Sequence, residues 1–288
     1  MMTEHHTSSL PERVGVVGGG RMGAGIAHAF VVSGAPVVVI ESTADAAEAA
    51  RQRVVGSVEK AAARGVLDGT VADALSCLEV SVEHADLAGC SLVVEAVPED
   101  PELKREVLNR VASVAPSAVL ATNTSSLSID AMADVLERPE SFLGLHFFNP
   151  VPASELVEIV IGAKTRDDLV TEAQGWVEAL GKTAVTVRDV PGFASSRLGV
   201  AIALEAMRMV EQGVASAEDI DLAMTLGYKH PMGPLRTTDV VGLDVRLAIA
   251  EHLHRELGSR FEPPQILRDH VAAGRVGRKS GHGFYDWS

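Results

Sequence analysis

VGVVGGGRMGAGIAHAF, residues 14–30, is the stretch whose reading decides the fold. Within it Gly18, Gly20 and Gly23 spell G-x-G-x-x-G, with Gly19, Arg21 and Met22 between them. The pattern alone is weak, because glycine pairs are common at turns. Its flanks strengthen it. Residues 14–17 read as a buried strand and residues 24–32 as a helix, the context in which this spacing cradles a pyrophosphate. Gly18 then allows the tight turn, Gly20 lets a phosphate approach the backbone, and Gly23 lets the helix pack on the strand. The helix start adds free N–H groups and the positive end of the dipole.

A carboxylate about twenty residues further on, closing the second strand, completes this fingerprint. Glu41 follows the apolar run 37–40 and lies 21 residues after Gly20. A carboxylate there accepts hydrogen bonds from both ribose hydroxyls and repels a 2′-phosphate. Ser42 and Thr43 come next, with no arginine to receive one. The expected cofactor is NAD rather than NADP.

Outward from this stretch, short β-rich runs at 13–17, 37–40, 92–96, 119–122, 142–146 and 185–187 alternate with helical stretches at 22–33, 44–64, 101–114 and 169–180. That alternation predicts a parallel, doubly wound α/β sheet. After Val190-Pro191-Gly192 the character changes to helices at 195–212, 217–225, 239–257 and 264–273. The expected architecture is a lead-in over 1–11 that includes His5 and His6, a Rossmann-type dinucleotide domain over 12–190, and an all-α C-terminal domain over 191–288. In the first of these later helices, Leu198, Ile202, Ala206 and Met209 share one face. Core packing is the expected role of that stripe, with a subunit interface as the alternative.

Composition narrows the function. The chain has 288 residues, 47% of them hydrophobic, enough to bury a sizeable core. Its apolar run at 30–40 is interrupted by Ser33, Gly34 and Pro36, so no membrane span is expected. The opening MMTEHHTSSLPE lacks the pattern of a secretion signal. Two cysteines, Cys77 and Cys90, without partners at zinc spacing, suit a reducing cytoplasm and no metal. A formal charge of −14 disfavours nucleic acid and means that an anionic substrate needs a local basic patch.

Two segments fall where ligands bind in such sheets, beyond the carboxyl ends of strands: 121–129 (ATNTSSLSI) and 144–152 (GLHFFNPVP). His146 in the second is the candidate acid–base group. Glu158 is its candidate orienting partner if 156–160 forms a strand beside it. The alternative is a structural histidine and an exposed strand glutamate.

These residues resemble the L-3-hydroxyacyl-CoA dehydrogenase family, in its short single-function form. The resemblance rests on GVVGGGRMGAGIA, VVEAVPED, ATNTSSLSI, GLHFFNPVP, PGF at 191–193, DIDLAMTLGYKHPMGPL at 219–235 and GRKSGHGFYDW near the C-terminus, in order along nearly the whole chain. It implies oxidation of the 3-hydroxyl of an acyl-CoA to a ketone, with hydride passing to NAD. It implies His146 as base, Glu158 as its orienting carboxylate, and Ser125 holding the substrate oxygen beside the nicotinamide. Asn149, Glu99 and Lys104 match cofactor-contact positions, although Glu99 and Lys104 also suit a solvated helix start. A homodimer is implied as well.

For the CoA phosphates, Ser57 and Arg64 match contact positions on the helix 44–64, which also carries Arg51, Arg53 and Lys60. Arg51 and Arg53 are expected on its ordinary solvated face. Ser196 departs from the pattern, standing in PGFASSRL where the family carries a substrate-positioning asparagine. That leaves open a different 3-hydroxy acid (3-hydroxyadipyl-CoA, a carrier-bound acyl group, a sugar acid). It also leaves open an NAD-binding protein without turnover. Glu155, in the loop VPASEL, is a solvated residue or one that disfavours an acidic acyl chain.

Overall fold

Parallel strands flanked by helices on both faces are buried on both sides, so they read as unbroken apolar runs. In the computed structural model, which describes residues 9–288, β1 (Val14–Val17), β2 (Val37–Ile40), β4 (Leu92–Glu95) and β5 (Val119–Thr122) are buried at every position and apolar at all but the closing Glu95 and Thr122. With β3 (Leu78–Ser81), β6 (Phe142–Phe147), β7 (Leu156–Ile161) and β8 (Thr183–Arg188) they form one sheet in the order β3-β2-β1-β4-β5-β6-β7-β8. The order reverses between β1 and β4, the switch point beyond which a dinucleotide cleft opens.

The sheet is not wholly parallel. Strands β1 to β6 run together, but β7 pairs with β6 antiparallel and β8 follows β7 in parallel. Only a short loop separates β6 from β7, too short for the crossover that a parallel pair needs. The reversal sets the register His146↔Glu158. Two strands carried weaker sequence signals. LEVS of β3 is only partly buried, and β8 is an edge strand longer than the expected 185–187.

The helices of this unit are α1 (Arg21–Val32), α2 (Ala44–Ala63), α3 (Val71–Ser76), α4 (Pro101–Val114), α5 (Ile129–Ala133) and α6 (Asp167–Ala179). Their starts have local causes: Thr43 caps α2, a Thr70/Asp73 capping box starts α3, and Asp100 followed by Pro101 starts α4. One core joins α1, α2 and α6 to the sheet through Ile26, Phe30, Val54, Val58, Leu143 and Trp176, with Leu10 packed against it. The histidines at 5 and 6, and most of the expected lead-in, lie outside the described residues.

The chain divides into two compact units after Asp189. The second contains α7 (Ser195–Glu211), α8 (Ala217–Leu222), α9 (Pro234–Val241), α10 (Leu243–Leu257) and α11 (Gln265–Ala272), with a π-helical turn at Ala223–Gly227. The single helix expected at 239–257 is therefore two, broken at Gly242 with φ +109°. Its core is built from Val200, Ala203, Leu204, Met207, Leu235, Leu243, Leu253 and Leu267. That corrects half of the expected core stripe: Ala206 is buried and Met209 packs against the core, but Leu198 is 63% exposed and Ile202 37%, and α7 buries Val200, Ala203, Leu204, Ala206 and Met207. Among the described residues no helix is long and apolar enough to cross a membrane.

Candidate active site

The glycine turn joins β1 to α1. Gly18 has φ +93°, and a Cβ there would stand 2.9 Å from the Ala96 carbonyl oxygen, so the position needs glycine on both counts. A Cβ at Gly23 would overlap the Gly18 carbonyl oxygen. At Gly20, the N-cap of α1, a Cβ would meet nothing within 4 Å. The space beside it belongs to a cleft of about 860 Å³, lined by Gly18, Gly20, Arg21, Met22, Ile40 and Glu41 along one side. Open space at this glycine, N–H groups at the helix start and a carboxylate at the cleft wall form a donor set that fits a dinucleotide.

Glu41 braces the turn as well as facing the cleft. Its Oε1 accepts from the Gly19 N–H at 2.7 Å and Oε2 from the Ser42 N–H at 3.2 Å. A carboxylate has about four acceptor positions, so capacity remains for two ribose hydroxyls. Arg53 differs from expectation. Its guanidinium donates to the Gly19 carbonyl at 3.1 Å, so it ties α2 to the glycine turn rather than standing on a plain solvated face. The opposite wall of the cleft was not legible in the sequence. It comes from Val82 and His84 beyond β3, and from Leu103, Val107 and Arg110 on α4. Burial, then the Arg110 charge, lowers the His84 pKa.

At the end of β6, His146 Nδ1 lies 2.8 Å from Glu158 Oε2 across the antiparallel register. Both are buried, at 6% and 1% exposure. The exposed-glutamate alternative for Glu158 is thereby excluded. The Phe148 ring lies 4.4 Å from the imidazole, and exposed Asn149 follows it. Asn123 is a link the sequence reading missed. Its Oδ1 accepts the Phe147 N–H at 2.9 Å, tying the loop after β5 to the strand that carries His146.

That loop holds Ser125, and a buried charge network organises it. Glu95, fully buried at the end of β4, accepts from Lys104 Nζ at 2.7 and 3.0 Å, from Thr122 Oγ1 at 2.6 Å and from the Val97 N–H at 2.7 Å. Lys104, only 1% exposed, also donates to the Val97 carbonyl and stands 3.4 Å from Glu99. It is not part of a solvated helix start. Glu99 Oε1 in turn accepts from Thr124 Oγ1 at 2.6 Å and from the N–H groups of Ser125 and Ser126 at 2.9 and 3.2 Å. Burial pushes the Glu99 pKa up, but Lys104 and these donors outweigh it and hold the carboxyl below its ordinary value. With three donors already on one oxygen, the Ser125 hydroxyl, at 3.2 Å, can turn toward a ligand.

Ser57 is half-buried on α2, and exposed Arg64 caps its C-terminus. Ser196 is half-buried in the first turn of α7, in the second unit. Among the described residues no cluster of His, Cys, Asp or Glu could hold a metal ion.

Residues 13–190 match the family model described as the NAD binding domain of 3-hydroxyacyl-CoA dehydrogenase, and residues 192–287 match its C-terminal domain. A 3-hydroxybutyryl-CoA dehydrogenase of Mycobacterium tuberculosis is 42% identical, covering 97% of this chain and 100% of its own. A probable 3-hydroxybutyryl-CoA dehydrogenase of Deinococcus radiodurans is 40% identical over 96% and 100%. The crystal structure of (S)-3-hydroxybutyryl-CoA dehydrogenase from Ralstonia eutropha superposes with a TM-score of 0.93 at 37% identity, over 96% of this chain and 99% of that one. A glycine turn, an acid-ended second strand and a buried His–Glu pair are thus found in a chain that belongs, over nearly its whole length, to the 3-hydroxyacyl-CoA dehydrogenase family.

Proposed function

We propose that this protein catalyses the reversible, NAD-dependent oxidation of a (3S)-3-hydroxyacyl-CoA to the 3-ketoacyl-CoA. The observation that carries the reading is the buried His146–Glu158 pair, held beside a Ser125 loop on the same sheet as the dinucleotide cleft. Bound NAD supplies the hydride acceptor. Every other role falls to the chain. With ionised Glu158 accepting at Nδ1, Nε2 is the basic nitrogen of His146 and takes the substrate's hydroxyl proton. Glu158 stabilises the imidazolium that forms. Ser125 orients the substrate oxygen, Asn149 faces the nicotinamide side, and Glu41 receives the adenosine ribose.

Lys104 serves by holding Glu99 and the 124–126 loop, since its Nζ is already engaged by Glu95, Val97 and Glu99. Ser57 and Arg64 receive CoA phosphates, and Ser196 positions the acyl group. Cys77 and Cys90, both free thiols, support a cytoplasmic setting. The exposed apolar residues Leu198, Leu226 and Tyr228 of the helical unit support a homodimer.

A binding protein without turnover would need no buried acid–base pair, whose desolvation opposes folding. The deciding assay follows NADH absorbance with acetoacetyl-CoA, with NADPH as control. Rapid loss with NADH and slow loss with NADPH is expected. No turnover of any CoA ester, with NADH still bound, would overturn the reading.

A further inference from the structure

The loop from β6 to β7, residues 148–155, carries Asn149 three residues after His146. It is gripped from two sides by groups that the proposed chemistry does not use. On one side is α1. Val151 is only 2% exposed and packs on Gly25, where a Cβ would stand 2.9 Å from both Cβ and Cγ2 of Val151. The glycine leaves the space in which loop and helix meet. Gly25 comes two residues after Gly23, so the loop rests on the helix that starts at the dinucleotide turn.

On the other side is Lys182. Its ammonium donates to the Val151 carbonyl at 2.8 Å and to the Ser154 carbonyl at 2.5 Å. The loop's own turn uses a different carbonyl, that of Pro150, which accepts from the N–H groups of Ala153 and Ser154. The backbone under Lys182 is itself tied down. Gly181, at φ +67°, ends α6, and the Lys182 N–H returns to the Val177 carbonyl at 3.1 Å. The Thr183 N–H donates to the Glu155 carbonyl at 2.6 Å. Half-buried, the ammonium gives up part of its hydration. Burial lowers its pKa and Glu155 opposes that shift. Hydrogen bonds from a charged donor are stronger than neutral ones, so two carbonyls offset much of the lost hydration. The same charge, after burial, lowers the pKa of His28 on α1.

We propose that Lys182 is a positioning residue for hydride transfer: by clamping the 151–154 backbone against Gly25 of α1, it fixes the nicotinamide half of NAD relative to the pyrophosphate turn. This rests on the dehydrogenase reading above, in which Asn149 faces the nicotinamide side. Without the ammonium the two carbonyls lose their donor and the loop shifts, while the adenosine half keeps its seat at Glu41. A misplacement of about 1 Å at the reacting groups can cost on the order of 10²-fold in rate.

The test separates the two halves of the cofactor. Lys182→Met should raise the dissociation constant of NADH, read by fluorescence, and leave that of ADP-ribose, read by calorimetry, unchanged. With acetoacetyl-CoA and saturating NADH, kcat should fall roughly 10- to 100-fold, with little change in KM for the ester. Lys182→Arg, which keeps charged donors, should recover most of both losses. Gly25→Ala should show the same split, because its methyl pushes the loop from the other side. Alanine also strengthens a helix interior, so that loss would not be a loss of fold. A Met variant with wild-type kcat and NADH affinity overturns the proposal. So does one that weakens NADH and ADP-ribose by the same factor, which would make Lys182 a stabilising residue alone. An Arg variant no better than Met, or a Gly25→Ala enzyme without the split, overturns it too. A wild type that turns over no CoA ester sinks the dehydrogenase reading instead, and the two dissociation constants then judge the clamp.

Discussion

His146 and Lys104 are both buried and each meets a carboxylate, Glu158 for the one and Glu95 with Glu99 for the other, yet removing them should have different consequences. His146→Gln keeps a polar group of similar size and removes the proton acceptor. Turnover should fall by roughly 10²–10⁴, with the NADH dissociation constant, read by fluorescence, unchanged; an unaffected turnover takes His146 out of the mechanism. Lys104→Met instead leaves Glu95 as an uncompensated charge at 0% exposure. Breaking a buried pair in this way costs about 3–5 kcal/mol, visible as a lower urea midpoint. Glu95→Gln added to Lys104→Met should recover most of that loss, because it removes the orphaned charge; no recovery would mean the pair is not what holds the loop. The His146–Glu158 pair was legible because antiparallel neighbours with a short connection can be guessed from pattern. The depth of Lys104 and the link from Arg53 to Gly19 were not. A sequence carries the charge of a side chain but not the dielectric around it.

Strands and helices were readable where burial leaves a one-dimensional trace. The runs VGVV, VVVI, LVVE and VLAT are apolar at most positions because both faces of the sheet are covered. β3 and β8 lie at the sheet edges, where polar residues are tolerated, and their traces fade. The break at Gly242 was hidden because the apolar spacing continues through it, and only its φ of +109° shows that a helix cannot. At the α1 element, Gly23→Ala should abolish NADH binding, since the added methyl meets the Gly18 carbonyl oxygen and must push the helix off the turn; retained affinity would show that the turn yields. The same helix carries buried His28, whose pKa is lowered to about 4, first by burial and then by the charge of Lys182. Between its ordinary value of 6.5 and about 4 the unfolded chain binds a proton that the folded chain does not. This contribution to stability is therefore fully present above pH 6.5 and is lost as pH falls toward 4, by about 3 kcal/mol in all. Urea midpoints measured across that window should drop for the wild type and drop less for His28→Gln.

At the scale of the whole molecule, the stripe on α7 records what periodicity can and cannot say. Leu198, Ile202, Ala206 and Met209 recur at helical spacing, which identifies an apolar face but not the surface that covers it. Within the helical unit Ala206 and Met209 pack on the core, whereas Leu198 is 63% exposed and Ile202 37%, and beyond α8 Leu226 and Tyr228 are 66% and 76% exposed. An apolar groove of about 490 Å³ runs beside this face, lined by Ile202, Met209, Ile220, Met224 and Tyr228. Contiguous apolar surface of this kind marks an interaction site, and a stable pairing of two chains would bury more than about 1,000 Å². The proposed homodimer puts a second copy of the same face there, by an isologous contact in which each α7 stripe covers its counterpart. Leu198→Glu with Ile202→Glu places like charges against each other at the centre of such a contact, and both positions are exposed in the separate chain, so the fold should survive. Sedimentation equilibrium should give twice the chain mass for the wild type and the chain mass for the double variant, with unchanged far-ultraviolet circular dichroism. A wild type that sediments at the chain mass would mean that the stripe serves something other than self-association. A variant that stays dimeric would move the interface to another face of the helical unit.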